Sequence, residues 1–115
     1  MKNLIFLIFF LPVTLFSQTL KLSDDLTVVH FNAGWNSAND VKWVSDLENC
    51  KIKHIDIATD TEAASKYEIV VVPTIVIFKD GDEVKRFQAD ISFAMKATKK
   101  EVQEAINDIL MEDSW

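Results

Sequence analysis

Val72-Pro73-Thr74-Ile75-Val76-Ile77-Phe78-Lys79-Asp80-Gly81 decides how this chain is read. Ile75 to Phe78 is an unbroken apolar run rich in β-branched residues, which suits a strand buried on both faces. Pro73 has no N–H to give a ladder, so it belongs at the start of that strand or in a special turn. Asp80-Gly81 is a hairpin signal. The strand Thr74 to Lys79 is therefore expected to turn back into a second strand, Glu83 to Gln88.

Upstream, Leu26 to Phe31 is a second strongly apolar run, expected as a central strand, and Asn32-Ala33-Gly34 forms the turn after it. A helix is expected to open there, with Asn36 or Ser37 as N-cap and Ser37 and Asp40 at a spacing like a capping box. Val41, Val44 and Leu47, with Trp43 beside them, carry it to about Glu48. Ile52 to Ile57 reads as a strand. Thr61 to Tyr67 reads as a short helix capped by Asp60 or Thr61. Downstream, Thr98 and Glu101 form a capping box for a last helix with the apolar face Val102, Ala105, Ile106, Ile109 and Leu110. The order is strand, helix, strand, helix, strand, strand, helix. It predicts a mixed sheet, parallel across the first helix connection and antiparallel across the hairpin, with helices on both faces.

The chain has 115 residues, room for one domain. Residues 1–17 read as a signal peptide: Lys2 gives a positive start, Leu4 to Leu11 an apolar run, and Ser17-Gln18 a small residue for cleavage. The run is too short to span a bilayer as a helix. Residues 18–115 are then the folded domain, periplasmic or secreted, with no membrane span once the signal is removed. Gln18 to Asp25 is a polar lead-in that offers an edge strand. The net charge of −6 gives no electrostatic footprint for nucleic acid. Cys50 is the one cysteine, so an intramolecular disulfide is impossible and packing must supply the stability.

Taken together, Val29-His30-Phe31-Asn32-Ala33-Gly34-Trp35, Ile55-Asp56-Ile57, Lys66-Tyr67-Glu68-Ile69 and the Pro73 segment resemble the thioredoxin family over about Leu26 to Leu110. The resemblance implies an α/β fold, a thioredoxin-like three-layer sandwich in which a mixed central β-sheet is flanked by helices. It also implies a cis peptide before Pro73, facing the Trp35 corner; the alternative is that Pro73 merely starts a strand. The family's active-site positions fall on Trp35, Asn36, Ser37, Ala38 and Asn39. The two cysteines of the family motif are replaced by Asn36 and Asn39, so neither the nucleophile nor the resolving thiol stands there. Other departures are His30, where the family keeps a buried acid, no glycine around Ala89-Asp90, and a shorter first helix. In the family, backbone beside the proline pairs with an extended substrate, which needs no cysteine. The expected binding residues are thus Trp35, Val72, Pro73 and Thr74, and the expected partner is a polypeptide or protein.

The other candidates are weaker. Cys50 is expected as a small packed hydrophobe away from Trp35, with a mixed disulfide or a Cys50-linked dimer as the redox alternatives. His30 and His54 lie on neighbouring strands. Two histidines without a spaced third ligand do not make a zinc site, so no metal and no cofactor is expected. Ser37 has no activating base at recognisable spacing, which leaves no catalytic residue. Asn36, Ser37 and Asn39 serve as helix caps by default. Trp35 is either an exposed binding residue or packed against its loop. Phe31, Phe78, Phe87 and Trp43 are read as core. Ile91-Ser92-Phe93-Ala94-Met95 is an apolar insertion that covers the sheet edge or presents a contact surface.

Three functions follow as expectations. The first is an exported, redox-inactive binding module rather than an enzyme. The second is a divergent thiol-disulfide oxidoreductase acting through Cys50. The third is a structural subunit of a larger assembly.

Overall fold

The computed structural model describes residues 26–113; residues 1–17, expected as a signal peptide, and the lead-in Gln18 to Asp25 lie outside them. Four strands form one sheet: β1 (Leu26–Asn32), β2 (Lys51–Asp56), β3 (Thr74–Lys79) and β4 (Asp82–Gln88), in the order β2-β1-β3-β4. β1 and β2 run parallel, while β1–β3 and β3–β4 are antiparallel. Among the described residues there are two α-helices: α1 (Thr61–Lys66) between β2 and β3, and α2 (Lys99–Asp113) after β4. Among the described residues no helix is long and apolar enough to cross a membrane.

The two central strands carry apolar side chains on both faces, which is why they read as continuous runs. Leu26, Val28, Ile75 and Ile77 face one way and pack with Val41, Val44 and Leu47 and with Val102 and Ile106 of α2. Val29, Phe31 and Val76 face the other way and pack with Ala63 and Tyr67 at α1. Each fully buried side chain of this size contributes about 1.5–3 kcal/mol of transfer free energy. The β3–β4 turn places both Asp80 (φ 54) and Gly81 (φ 89) in the left-handed region, as a two-residue primed turn requires. The capping box of α2 forms: the Thr98 N–H donates to Glu101 Oε1 at 2.8 Å, and the Glu101 N–H to Thr98 Oγ1 at 3.2 Å.

The expected first helix does not form. Residues after β1 instead make two short 3₁₀ turns, Gly34–Asn39 and Lys42–Asp46, separated by extended backbone at Asp40 and Val41. The reason is visible in the spacing. Val41, Val44 and Leu47 recur every three residues, the period at which 3₁₀ side chains eclipse, and never at four. All three are buried. Neither turn has a side-chain cap: Ala33 and Val41 occupy the N-cap positions. The capping roles expected of Asn36, Ser37 and Asn39, and of the Ser37–Asp40 spacing, are therefore not met.

Candidate functional site

The corner after β1 faces the loop before β3. The Val72–Pro73 peptide bond is cis, and both residues are buried. Thr74 Oγ1 donates to the Val71 carbonyl at 2.6 Å, which holds the loop against the start of β3.

Asn36 sits at the centre. It is 6% exposed and leaves helical geometry (φ −114°, ψ 22°), so its side chain turns inward instead of capping. Its Nδ2 donates to Asn32 Oδ1 at 3.0 Å and to the Phe93 carbonyl at 3.1 Å. The Val72 carbonyl is farther, at 3.5 Å. Two protons cannot fully serve three acceptors, so the Val72 carbonyl is the weakly held one. Asn36 Oδ1 accepts from Asn39 Nδ2 at 2.9 Å. Asn32 Nδ2 donates in turn to the Asn36 carbonyl at 3.1 Å and to Asp40 Oδ1. Three asparagines and one aspartate thus interlock where the β1 strand turns.

Trp35 projects outward, 66% exposed, and meets the Phe93 ring edge-on at 5.4 Å. Trp35 is thus exposed and at the same time packs on a loop, and that loop is the 91–95 insertion rather than its own. That insertion folds over the corner, with Phe93 in the left-handed region (φ 63) and its carbonyl on Asn36. Ser37, Ala38 and Asn39 are exposed on the first 3₁₀ turn. The structure thus brings Trp35, Asn36, Asn39, Val72 and Pro73 together, with Thr74 at the strand start.

Asn32, Asp40 and Phe93 were not singled out as site residues in the sequence. Asn32, Asn36 and Asn39, spaced four and three apart, carried a signal of shared side-chain contacts. Phe93 lies in the apolar 91–95 insertion, but its contact with Asn36 joins residues far apart in sequence and has no local signal.

Cys50 lies apart from this corner, just before β2, half-buried against the Val28–Ile77 side of the core. Burial pushes its thiol pKa up, which suppresses the nucleophilic thiolate.

A second feature lies beside the corner. A cleft of about 500 Å³ is lined by His30, Asn32, Ser37, Asp40, Lys42, His54 and Asp56, among others. His30 and His54 contact through Nδ1 at 3.1 Å. Burial, and then the neighbouring His54, hold the His30 pKa below the ordinary imidazole value, against an upward pull from Asp40. Among the described residues no group of three or more His, Cys, Asp or Glu side chains could hold a metal ion.

The family model that matches this chain is Thioredoxin, over residues 8–108. Glutaredoxin 3 of Danio rerio is 35% identical over 78 residues, covering 62% of this chain and 24% of that protein. The thioredoxin of Mycobacterium tuberculosis is 40% identical over 35 residues, 30% of each chain. The chain thus spans less than a third of the length of these curated relatives. Among solved structures, a mutant thioredoxin from Halobacterium salinarum superposes with a TM-score of 0.59 at 20% identity, over 76% of this chain and 77% of that one. Fasciola hepatica thioredoxin gives 0.54 at 25% identity, over 81% and 89%.

Proposed function

The chain belongs to the thioredoxin family, and from that premise we propose that it is an exported, redox-inactive module that binds an extended polypeptide. The peptide would lie against Trp35, the Asn36 corner and the Val72-Pro73-Thr74 edge. The observation that carries this reading is the Asn36 side chain. An amide, not a thiol, faces the Val72 carbonyl beside the cis peptide, and an exposed tryptophan stands next to it. An amide can hydrogen-bond a peptide backbone but cannot attack a disulfide. Aromatic side chains at such edges supply contact area at low entropic cost. Recognition of this kind adds a strand-like segment to main-chain groups and needs no thiol.

The competing reading, thiol exchange through Cys50, is disfavoured by where that residue sits. Its sulfur is half-buried in the core and its thiolate suppressed, and no second cysteine exists to resolve a mixed disulfide.

Two measurements test the proposal together. Extended, unfolded-client peptides should quench or shift Trp35 emission, and Trp35→Ala should abolish the response while the fold persists. In an insulin-reduction assay the unmodified protein should be inactive, and Asn36→Cys/Asn39→Cys should gain turnover. Turnover by the unmodified chain that disappears in Cys50→Ser would overturn the redox-inactive reading. No response to any peptide would overturn the binding reading.

A further inference from the structure

His30 and His54 are register partners on the parallel strands β1 and β2, Nδ1 to Nδ1 at 3.1 Å with rings edge-on. The second nitrogen of His30, Nε2, accepts the Val41 N–H at 3.4 Å, so it carries no proton. A neutral His30 must then hold its proton on Nδ1 and donate it to His54 Nδ1, and His54 holds its own on Nε2. A second proton can enter the pair only by displacing one of these hydrogen bonds. On His30 the proton would land on Nε2 against the Val41 N–H. On His54 it would land on Nδ1 against the His30 N–H. The same tautomer keeps His30 Nδ1 from ligating a metal.

The pair lies in the cleft, where His54 is exposed and gives water access to it. The charged groups around it are Asp40 from the link between the 3₁₀ turns, Lys42 from the second turn and Asp56 from the end of β2. On the other side β3 presents apolar Ile75, the register partner of His30. Asp40 is also the acceptor for Asn32 Nδ2, and Asn32 Oδ1 is the acceptor for Asn36 Nδ2. The imidazole pair is thus separated from the Asn36 corner by two side chains.

We propose that His30 and His54 form a proton switch for the Asn36 corner. A proton taken up from water through the cleft breaks the imidazole–imidazole hydrogen bond and draws the Asp40 carboxylate toward the new cation. Asn32 loses its carboxylate acceptor, and the Asn36 amide loosens from Asn32 and from the Phe93 carbonyl. Burial sets the switching range on the acid side of an ordinary imidazole, and Asp40 favours the charged state once it forms. The switch acts on the free protein, with or without a bound peptide.

The test is a pH titration of the ¹⁵N-labelled full chain from pH 8 downward, following the imidazoles and the side-chain amides of Asn32 and Asn36. The expected result is one midpoint shared by His30 and both amides. His54→Asn, at an exposed position, should raise that midpoint. Asp40→Asn should leave His30 titrating while the Asn36 amide no longer follows. An Asn36 amide that stays still while His30 titrates overturns the proposal. So does an amide that follows His30 equally well in Asp40→Asn, or a His30 that takes up no proton before acid unfolding. These readouts need no ligand, so failure to bind peptide would bear on the binding reading alone.

Discussion

Asn36 Nδ2 lies 3.1 Å from the main-chain oxygen of Phe93, a hydrogen bond between residues 57 apart in the sequence. It fastens the first corner of the chain to the loop before the last helix. The same amide holds Asn32. One buried side chain therefore sets the geometry of the whole corner.

Replacing Asn36 with Ala should be costly. The Phe93 carbonyl and Asn32 Oδ1 would both lose their donor in a buried site, where each unsatisfied group costs roughly 1–3 kcal/mol before relaxation. Urea unfolding should show a loss of about 2 kcal/mol with an unchanged slope. A change below about 0.5 kcal/mol would mean that the amide network adds little to stability.

Phe93 should restrain Trp35. Removing the ring in Phe93→Ala deletes an edge-to-face contact worth about 0.5–1.5 kcal/mol. Trp35 should then show lower fluorescence anisotropy and a red-shifted emission, measured by difference against Trp35→Phe to subtract Trp43 and Trp115. Unchanged anisotropy would show that the tryptophan is held by other contacts.

Cys50 should react slowly. Its raised pKa and partial burial predict alkylation by iodoacetamide at pH 7.5 well below the rate of a free cysteine, accelerating only on denaturation. Labelling as fast as glutathione would contradict this placement.

Stability should fall on the acid side of neutrality. Unfolded His30 ionises near 6.5, and the folded residue does so at a lower pH. Between those values the unfolded chain binds more protons, so the unfolding free energy decreases as pH drops. The contribution of His30 is complete above about 6.5 and lost below its folded pKa. The urea midpoint should therefore decline from pH 7 to 5, and less steeply in His54→Asn, which removes one of the two causes of the shift. A flat profile across that range would refute the assignment.

Much of the fold was legible before any coordinates. β3 matched its expected span residue for residue, β4 and α1 differed by one residue at one end, and β2 by one residue at both ends. Buried strands and short turns are local events, declared by apolar runs and by residues such as Asp80-Gly81 that accept positive φ. The expected first helix does not form because Val41, Val44 and Leu47 are buried at three-residue spacing without the four-residue spacing an α-helix also needs.

The site divides along the same line. The sequence by itself determined that Cys50 is the one cysteine and that asparagines and Trp35 follow the first apolar strand; the family resemblance, not composition, implied that Asn36 and Asn39 fall at dithiol positions. Only the tertiary structure decided what those residues touch. Asn36 turned inward because the 91–95 loop and Asn32 offered it acceptors, which outweighed the local helix-capping role its sequence context suggested. His30 and His54 became a fixed pair because parallel strand register set them side by side and Val41 fixed the tautomer. Hydrogen-bond partners distant in sequence are brought together by packing of the sheet and loops, and no local pattern encodes which acceptor a buried amide will find.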